Sequence, residues 1–189
     1  MAMVERRVTA IALAIVLAMA GVCGARDDTS SADPVRKRDF IYKKVGKVEL
    51  HLQVYDRPNA AGEEPRAAMV FFFGGGWRAG SVRQFEPHAR HLAEEGMVAV
   101  TADYRVASRH GTTADKCVED GKSAVRWLRA HAKELQVDPD RIGAGGGSAG
   151  GHVAAAVALL PDFEDAREDT SVSCRPNALV LFNPALVLA

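Results

Sequence analysis

The chain has 189 residues, with 24 Lys and Arg against 24 Asp and Glu, so its formal net charge is zero. With 25% charged and 48% hydrophobic residues, it is neither a disordered segment nor a polycation built to bind nucleic-acid phosphates. The length suits one domain with its own core. The sequence shows no Cys-x-x-Cys pair and no metal-ligand spacing of His, Asp and Glu, so neither a metal nor another cofactor is expected.

The N-terminal segment has the features of an export signal. Two arginines precede an apolar run over residues 8–22, which is short for a membrane-spanning helix of about 20 residues. We therefore predict a signal peptide over residues 1–25, cleaved near Gly24 or Ala25, and a secreted or periplasmic mature protein without a stable membrane anchor. An uncleaved membrane anchor and a lipoprotein attached through Cys23 are the alternatives.

Cleavage of this signal peptide would leave two of the three cysteines, Cys117 and Cys174. In an oxidising compartment these two residues could form a disulfide that closes a long loop. The other interpretation is two buried free thiols, and the sequence is compatible with both.

A polar linker over residues 26–38 is predicted to precede a domain over residues 39–189. The domain alternates strand patterns with helix patterns, and its strands are mostly continuous apolar runs, which are typical of strands buried on both faces. The predicted strands cover residues 40–44, 48–55, 67–73, 97–102, 141–145 and 178–182, the last of them also expected to be buried. This alternation predicts an α/β fold with a mostly parallel central sheet and flanking helices.

Helix signals lie between these strands. Ser81 and Gln84 have the spacing of a capping box, although Pro87 favours a regular helix that begins nearer Glu86.

Further along the chain, Thr112 and Asp115 can cap a longer helix whose apolar face continues to Leu135. A turn is predicted over residues 137–140, and a further apolar helix over residues 149–160.

The segment from Gly146 to Gly150 matches the pattern G-x-S-x-G and lies between a predicted strand and a predicted helix. In this setting Ser148 occupies a sharp turn that exposes its hydroxyl, and the residues two positions before and after it must lack side chains. The following helix points its free amide groups and its dipole at the same place. The segment therefore predicts a nucleophilic serine.

A second glycine turn, over residues 74–76, ends the buried strand over residues 67–73. Backbone amides from such a loop can meet the amide of Ala149 around one point, which is what a tetrahedral oxyanion requires. Together the two turns indicate acyl-transfer chemistry.

Gly145, Gly147 and Gly150 also satisfy the dinucleotide-binding pattern G-x-G-x-x-G. That fingerprint normally follows the first strand of its domain, whereas several strands precede it here. An NAD-dependent oxidoreductase is nevertheless kept as an alternative, as is a purely structural role for both glycine turns.

The runs FFFGGGW (71–77) and GGGSAGGH (145–152), together with the segments 103–105 and 138–141, resemble the α/β-hydrolase superfamily. The most similar members are secreted bacterial esterases and lipases of the hormone-sensitive-lipase type and acetylxylan or feruloyl esterases. The resemblance implies an α/β-hydrolase fold and serine-dependent hydrolysis of small acyl esters or esterified carbohydrates through an acyl-enzyme.

The resemblance also implies roles for individual residues. Ser148 would be the nucleophile, the backbone amides of Gly75, Gly76 and Ala149 would form the oxyanion hole, and Trp77 would line the acyl side of the substrate pocket.

The sequence departs from the superfamily pattern in three places. Phe73 stands where many members carry His, and Gly147 where many carry Asp. After the strand over residues 178–182 there is no Asp, Glu or His, although the superfamily places its catalytic acid and histidine after the serine.

We therefore expect the chain to lack the last strands of the fold and to hydrolyse esters poorly or not at all. The six histidines present are expected to be surface or packing residues. A catalytically inactive secreted domain that binds a ligand or carbohydrate is the alternative function.

Overall fold

A computed structural model of the chain describes residues 34–58 and 63–186. The predicted signal peptide, its alternatives at Cys23 and most of the predicted linker lie outside the described residues. No helix within the described ranges is long and apolar enough to cross a membrane.

Six strands and five α-helices make up the described part of the chain. The strands are β1 (Arg36–Val45), β2 (Val48–Asp56), β3 (Arg66–Phe72), β4 (Val98–Ala102), β5 (Val137–Gly147) and β6 (Ala178–Phe182). The helices are α1 (Glu86–Glu94), α2 (Ala107–His110), α3 (Ala114–Ala130), α4 (Ala132–Leu135) and α5 (Ala149–Leu159), and a 3₁₀ turn (Val82–Phe85) precedes α1.

The strands form one sheet in the order β1-β2-β4-β3-β5-β6. The β1–β2 and β2–β4 pairs are antiparallel, whereas β4–β3, β3–β5 and β5–β6 are parallel. The α/β fold with a mostly parallel sheet is thus confirmed. Because the carboxyl ends of parallel strands meet at one edge, the residues that follow β3 and β5 are brought together there.

Apolar side chains cover both faces of this sheet. Alternate residues of β3 serve opposite faces: Val70 and Phe72 belong to the main core cluster, and Met69 and Phe71 to a second cluster with residues of α1. The continuous apolar run of β3 is therefore explained by burial on both sides.

The prediction that the last strand is buried is wrong. Val180 and Phe182 of β6 are 46% and 42% exposed. The reason is position: β6 lies at the edge of the described sheet and pairs only with β5.

The strand boundaries also differ from the predictions. β1 begins at Arg36, within the predicted linker, and β5 begins at Val137, so that it includes the predicted turn over residues 137–140. A local turn is nevertheless present, because the Asp138 carboxylate accepts a hydrogen bond of 2.9 Å from the Asp140 N–H.

The long helix differs at both ends from the prediction. Its N-cap residue is Thr113 rather than Thr112, and it ends at Ala130, so that Leu135 belongs to the separate helix α4.

Helix α3 also buries charged side chains that its apolar pattern did not predict. Lys122 is 1% exposed, and its Nζ donates to the carbonyls of Leu160 and Asp162 and to the Glu164 carboxylate. The polar segment that follows α5 packs over α3 and supplies these acceptors, which is why ions can be buried here.

The two described cysteines are both free and buried. The Cys117 Sγ donates to the Arg105 carbonyl at 3.1 Å, and the Cys174 Sγ lies 3.5 Å from a Glu164 carboxylate oxygen. Burial raises the pKa of Cys117 to about 12. The structure therefore shows the second of the two interpretations, buried thiols without a disulfide between them.

Candidate active site

Ser148 lies between β5 and α5 in a conformation that L-residues rarely adopt. Its φ is 50° and its ψ is −117°, and its side chain is exposed. The Ser148 N–H donates to the Phe182 carbonyl of β6 at 3.0 Å, and its own carbonyl accepts from His152 and Ala185. A strained serine held from several sides is what a catalytic turn requires.

The glycines of G-x-S-x-G are required by close contacts between backbones. A Cβ added at Gly146 would lie 2.5 Å from the Gly150 carbonyl carbon, and one added at Gly150 would lie 2.1 Å from the Phe72 carbonyl oxygen. By contrast, a Cβ at Gly147 would meet its nearest neighbour, the Phe85 ring, at an ordinary 3.5 Å. The spacing of the motif is therefore explained by the packing of the turn.

The second glycine turn lies directly against this serine. A Cβ added at Gly74 would lie 3.4 Å from the Ser148 Cβ and 2.8 Å from the Gly147 carbonyl oxygen. Gly75 and Gly76 have φ values of 132° and 63°, in the region that favours glycine. The loop can therefore approach the serine only because it carries no side chains.

The hydrogen bonds of the loop leave two of its amides free. The Gly75 carbonyl accepts from the N–H groups of Arg78 and Ala79, both at 3.1 Å. Within the described part of the chain, the N–H groups of Gly75 and Gly76 have no protein acceptor.

The backbone amide of Ala149 is the third predicted donor. Ala149 is the first residue of α5, where a backbone N–H has no acceptor within its own helix. Of the three amides predicted as an oxyanion hole, that of Ala149 directly follows Ser148, and those of Gly75 and Gly76 follow Gly74, whose added Cβ would lie 3.4 Å from the Ser148 Cβ.

Two side chains fix the start of this loop. The Gln84 Oε1 accepts a hydrogen bond of 2.6 Å from the Gly74 N–H, and the Tyr104 hydroxyl donates to the Phe73 carbonyl. The Tyr104 ring also stacks on the Phe73 ring, with centroids 4.1 Å apart. Phe73, which departs from the family pattern, is therefore a packing residue here.

The predicted capping box is half correct. Ser81 is the N-cap of the 3₁₀ turn, and its Oγ accepts from the Arg83 N–H at 3.3 Å. The Gln84 side chain does not return to Ser81 but contacts Gly74 instead. Sequence reasoning missed both this contact and the role of Tyr104, because neither has a local signature.

Trp77 lies over the first turn of α5. Its indole Nε1 donates to the His152 Nδ1 at 3.2 Å, and the two rings meet edge to face at 5.2 Å. Burial lowers the pKa of His152, which favours the neutral ring that this hydrogen bond needs. A substrate-lining role for Trp77 stays a prediction.

No described histidine ring donates to or accepts from the Ser148 hydroxyl. The His51 Nδ1 lies 2.5 Å from an Asp39 carboxylate oxygen, the His110 Nδ1 accepts from the Val106 N–H, and His131 stacks on a tryptophan. Nor do any three His, Cys, Asp or Glu side chains in residues 34–58 and 63–186 come together as a metal site would require.

Packing also accounts for the dinucleotide-like glycine pattern. A Cβ added at Gly145 would lie 2.6 Å from the Val180 carbonyl oxygen and from the Met69 Cε. The pattern begins within the last residues of β5, the fifth described strand, rather than after a first strand, which argues against a dinucleotide loop.

Comparison with solved structures identifies the class of protein to which this arrangement belongs. Esterase 2 of Thermogutta terrifontis, phosphorylated by paraoxon, matches with a TM-score of 0.78 and 50% sequence identity, over 80% of this chain and 58% of that chain. The same esterase with butyrate bound matches with a TM-score of 0.77 at the same identity, over 81% and 55% of the two chains. The fold is that of an α/β-hydrolase.

Sequence comparisons are consistent with this result. The chain is 37% identical over 125 residues to the probable carboxylic ester hydrolase LipM of Mycobacterium tuberculosis, covering 66% of this chain and 28% of that protein. The BD-FAE family model matches residues 52–180, more than half of the chain, so the chain belongs to the BD-FAE family. It spans less than two thirds of the length of LipM or of esterase 2.

Proposed function

We propose that the chain carries the nucleophile and oxyanion site of a serine-dependent carboxylic ester hydrolase. One observation supports this proposal above the others: the exposed Ser148 occupies a strained turn next to a glycine loop in which the amides of Gly75 and Gly76 have no acceptor among the described residues. The names of the relatives, a carboxylic ester hydrolase and an esterase, agree with it.

In the proposed reaction, the Ser148 Oγ attacks the ester carbonyl carbon. The carbonyl oxygen becomes an oxyanion, which accepts hydrogen bonds from the amides of Gly75, Gly76 and Ala149 while the dipole of α5 favours its charge. Collapse of this intermediate breaks the bond to the alcohol, which leaves with one proton in balance for the proton that the Ser148 hydroxyl loses. Water then hydrolyses the acyl-enzyme, which releases the acid and restores the hydroxyl.

The proposal assigns no general base. No described histidine ring is hydrogen-bonded to the Ser148 hydroxyl, and residues 183–189 contain no Asp, Glu or His. A serine that keeps its oxyanion site without its base retains only about 10³–10⁴-fold catalysis over water. We therefore propose selective but slow acylation of Ser148 by the 189-residue chain.

Short acyl esters are the proposed substrates. Solved structures of esterase 2 hold propionate and butyrate, which are acids of short acyl chains. Esterified carbohydrates stay a second substrate class, proposed from the family resemblance alone.

A fluorophosphonate probe tests the nucleophile. Its phosphorus bonds to a serine oxygen, and fluoride and a proton are released. We expect peptide mass spectrometry to find the adduct at Ser148, and Ser148→Ala to abolish it. Ser171→Ala, a change at an exposed serine elsewhere, is the control and should leave labelling unchanged. Labelling spread over several serines, or none at all, would favour the inactive ligand-binding domain.

A further inference from the structure

Gln84 holds a peptide group at the start of the glycine loop. Its Oε1 accepts from the Gly74 N–H at 2.6 Å, whereas the Tyr104 hydroxyl donates to the Phe73 carbonyl. This N–H and this carbonyl belong to the same peptide unit, which is planar. The two side chains therefore fix both polar groups of one rigid peptide plane.

The orientation of that peptide plane matters for the peptides that follow it. The next residues, Gly75 and Gly76, are glycines, which rotate about φ and ψ more freely than other residues. The Gly75 carbonyl accepts hydrogen bonds from the N–H groups of Arg78 and Ala79. Because the peptide bond to Gly76 is trans, the Gly76 N–H points in the direction opposite to this carbonyl. Fixing the peptide unit between Phe73 and Gly74 therefore limits the orientations that the unpaired amides of Gly75 and Gly76 can adopt.

The 3₁₀ turn that carries Gln84 also supports the serine side of the site. The adjacent Phe85 ring lies 3.5 Å from the place that a Cβ on Gly147 would occupy, and it stacks on Phe71 with centroids 5.0 Å apart. One short element thus binds the glycine loop through Gln84 and packs near the strand end before Ser148 through Phe85.

We propose that Gln84 is a positioning residue that holds the amides of Gly75 and Gly76 in the geometry that stabilises the oxyanion. The inference rests on the proposed function, because it assigns Gln84 a role in that reaction. Gln84 is exposed and contributes no core packing, so its replacement should leave the fold intact.

The test uses two variants of the 189-residue chain that differ in the hydrogen-bond acceptor. Gln84→Met keeps the length of the side chain but removes the acceptor, and Gln84→Glu keeps an acceptor. Arg83→Met, an exposed change in the same 3₁₀ turn, is the matched control. The readouts are hydrogen exchange of the Gly74 amide by NMR and the kinetics of fluorophosphonate labelling at Ser148.

For Gln84→Met we expect the Gly74 amide to exchange at least about tenfold faster, because its hydrogen bond is lost. We expect the maximal labelling rate to fall by about 10- to 100-fold, with the half-saturating probe concentration changed less than about twofold, because misplaced oxyanion donors weaken the transition state more than binding. Gln84→Glu should lie between Gln84→Met and the parent chain in both readouts, and Arg83→Met should match the parent.

The outcomes separate this inference from the proposed function. If the parent chain is not labelled at Ser148, the proposed function fails and the inference fails with it. If the parent is labelled and Gln84→Met is labelled equally fast, the inference alone is overturned. It is also overturned if the Gly74 amide exchanges at the same rate in the parent chain and in Gln84→Met. The same holds if Gln84→Met changes only the half-saturating probe concentration and not the maximal labelling rate.

Discussion

At the scale of single residues, the site depends on backbone conformations that cost energy. Ser148 has a φ of 50° and a ψ of −117°, a combination that a Cβ makes unfavourable. The backbone hydrogen bonds to Phe182, His152 and Ala185 hold it there. Strain of this kind persists only where the surroundings impose it, and it is typical of functional positions.

The strain predicts that the chain becomes more stable when the serine side chain is removed completely. We expect Ser148→Gly to raise the free energy of unfolding by about 1 kcal/mol, because glycine relieves more strain than it adds in unfolded-state entropy. Ser148→Ala keeps the Cβ and should not show this gain. Urea titration of the three proteins tests this, and equal gains for glycine and alanine would contradict the explanation.

Two glycines on either side of Ser148 make a second prediction at this scale. Gly150→Ala would bring a Cβ to 2.1 Å from the Phe72 carbonyl oxygen, whereas Gly147→Ala meets its nearest atom at 3.5 Å. We expect Gly150→Ala to lower the free energy of unfolding by about 3 kcal/mol or more, and Gly147→Ala by less than about 1 kcal/mol. Denaturant midpoints of the two variants give the comparison, and similar losses would show that the turn accommodates a side chain.

At the scale of elements, short and irregular segments support the site. The 3₁₀ turn holds the glycine loop, and the end of β6 accepts the hydrogen bond from the Ser148 N–H. The segment after α5 is joined to α3 by buried ions: Arg126 pairs with Glu164 and Glu168, and Lys122 pairs with Glu164. These ion pairs attach the polar segment to helix α3.

Lys122 provides the prediction for this scale. Lys122→Met would remove the buried ammonium group that donates to the carbonyls of Leu160 and Asp162. We expect a loss of about 2–4 kcal/mol in the free energy of unfolding, because these carbonyls would lose a charged donor that is itself buried. Lys116→Met, which removes the partly exposed ion pair with Glu119, is the control and should cost less than about 1 kcal/mol. If the two variants lost comparable free energies of unfolding, burial of Lys122 would not explain its contribution.

At the scale of the whole molecule, the sheet brings two glycine-rich turns together. The parallel strands β3 and β5 place the glycine loop and Ser148 at the same edge of the sheet, as their pairing of Phe72 with Gly146 requires. No described histidine ring contacts the serine hydroxyl. In the proposed function, the described residues therefore supply the oxyanion donors but no histidine hydrogen-bonded to Ser148 that would accept the serine proton.

The lack of a described base at Ser148 predicts slow ester hydrolysis by the 189-residue chain. We expect the 189-residue chain to hydrolyse p-nitrophenyl butyrate at least about 10³-fold more slowly than esterase 2 of T. terrifontis assayed beside it, because loss of the base alone has effects of this size. Steady-state release of p-nitrophenol provides the measurement. Turnover within tenfold of that esterase would require a base that this structure does not show.

The sequence by itself determined the features that depend on near neighbours along the chain. The apolar run of β3 indicated a strand buried on both faces, and the pattern around Ser148 indicated a sharp turn, because periodicity and glycine content act over a few residues. The beginning of α1 at Glu86 could likewise be predicted from Pro87.

Only the tertiary structure decided which distant groups meet. The capping-box spacing predicts that the Gln84 side chain bonds back to Ser81. Its Oε1 instead accepts a hydrogen bond from the Gly74 N–H, because the fold brings the glycine loop beside the 3₁₀ turn. Lys122 is buried because a segment some 40 residues later supplies its acceptors, and β6 is exposed because of its place in the strand order. Contacts across such separations depend on how the strands are ordered, which no local pattern specifies.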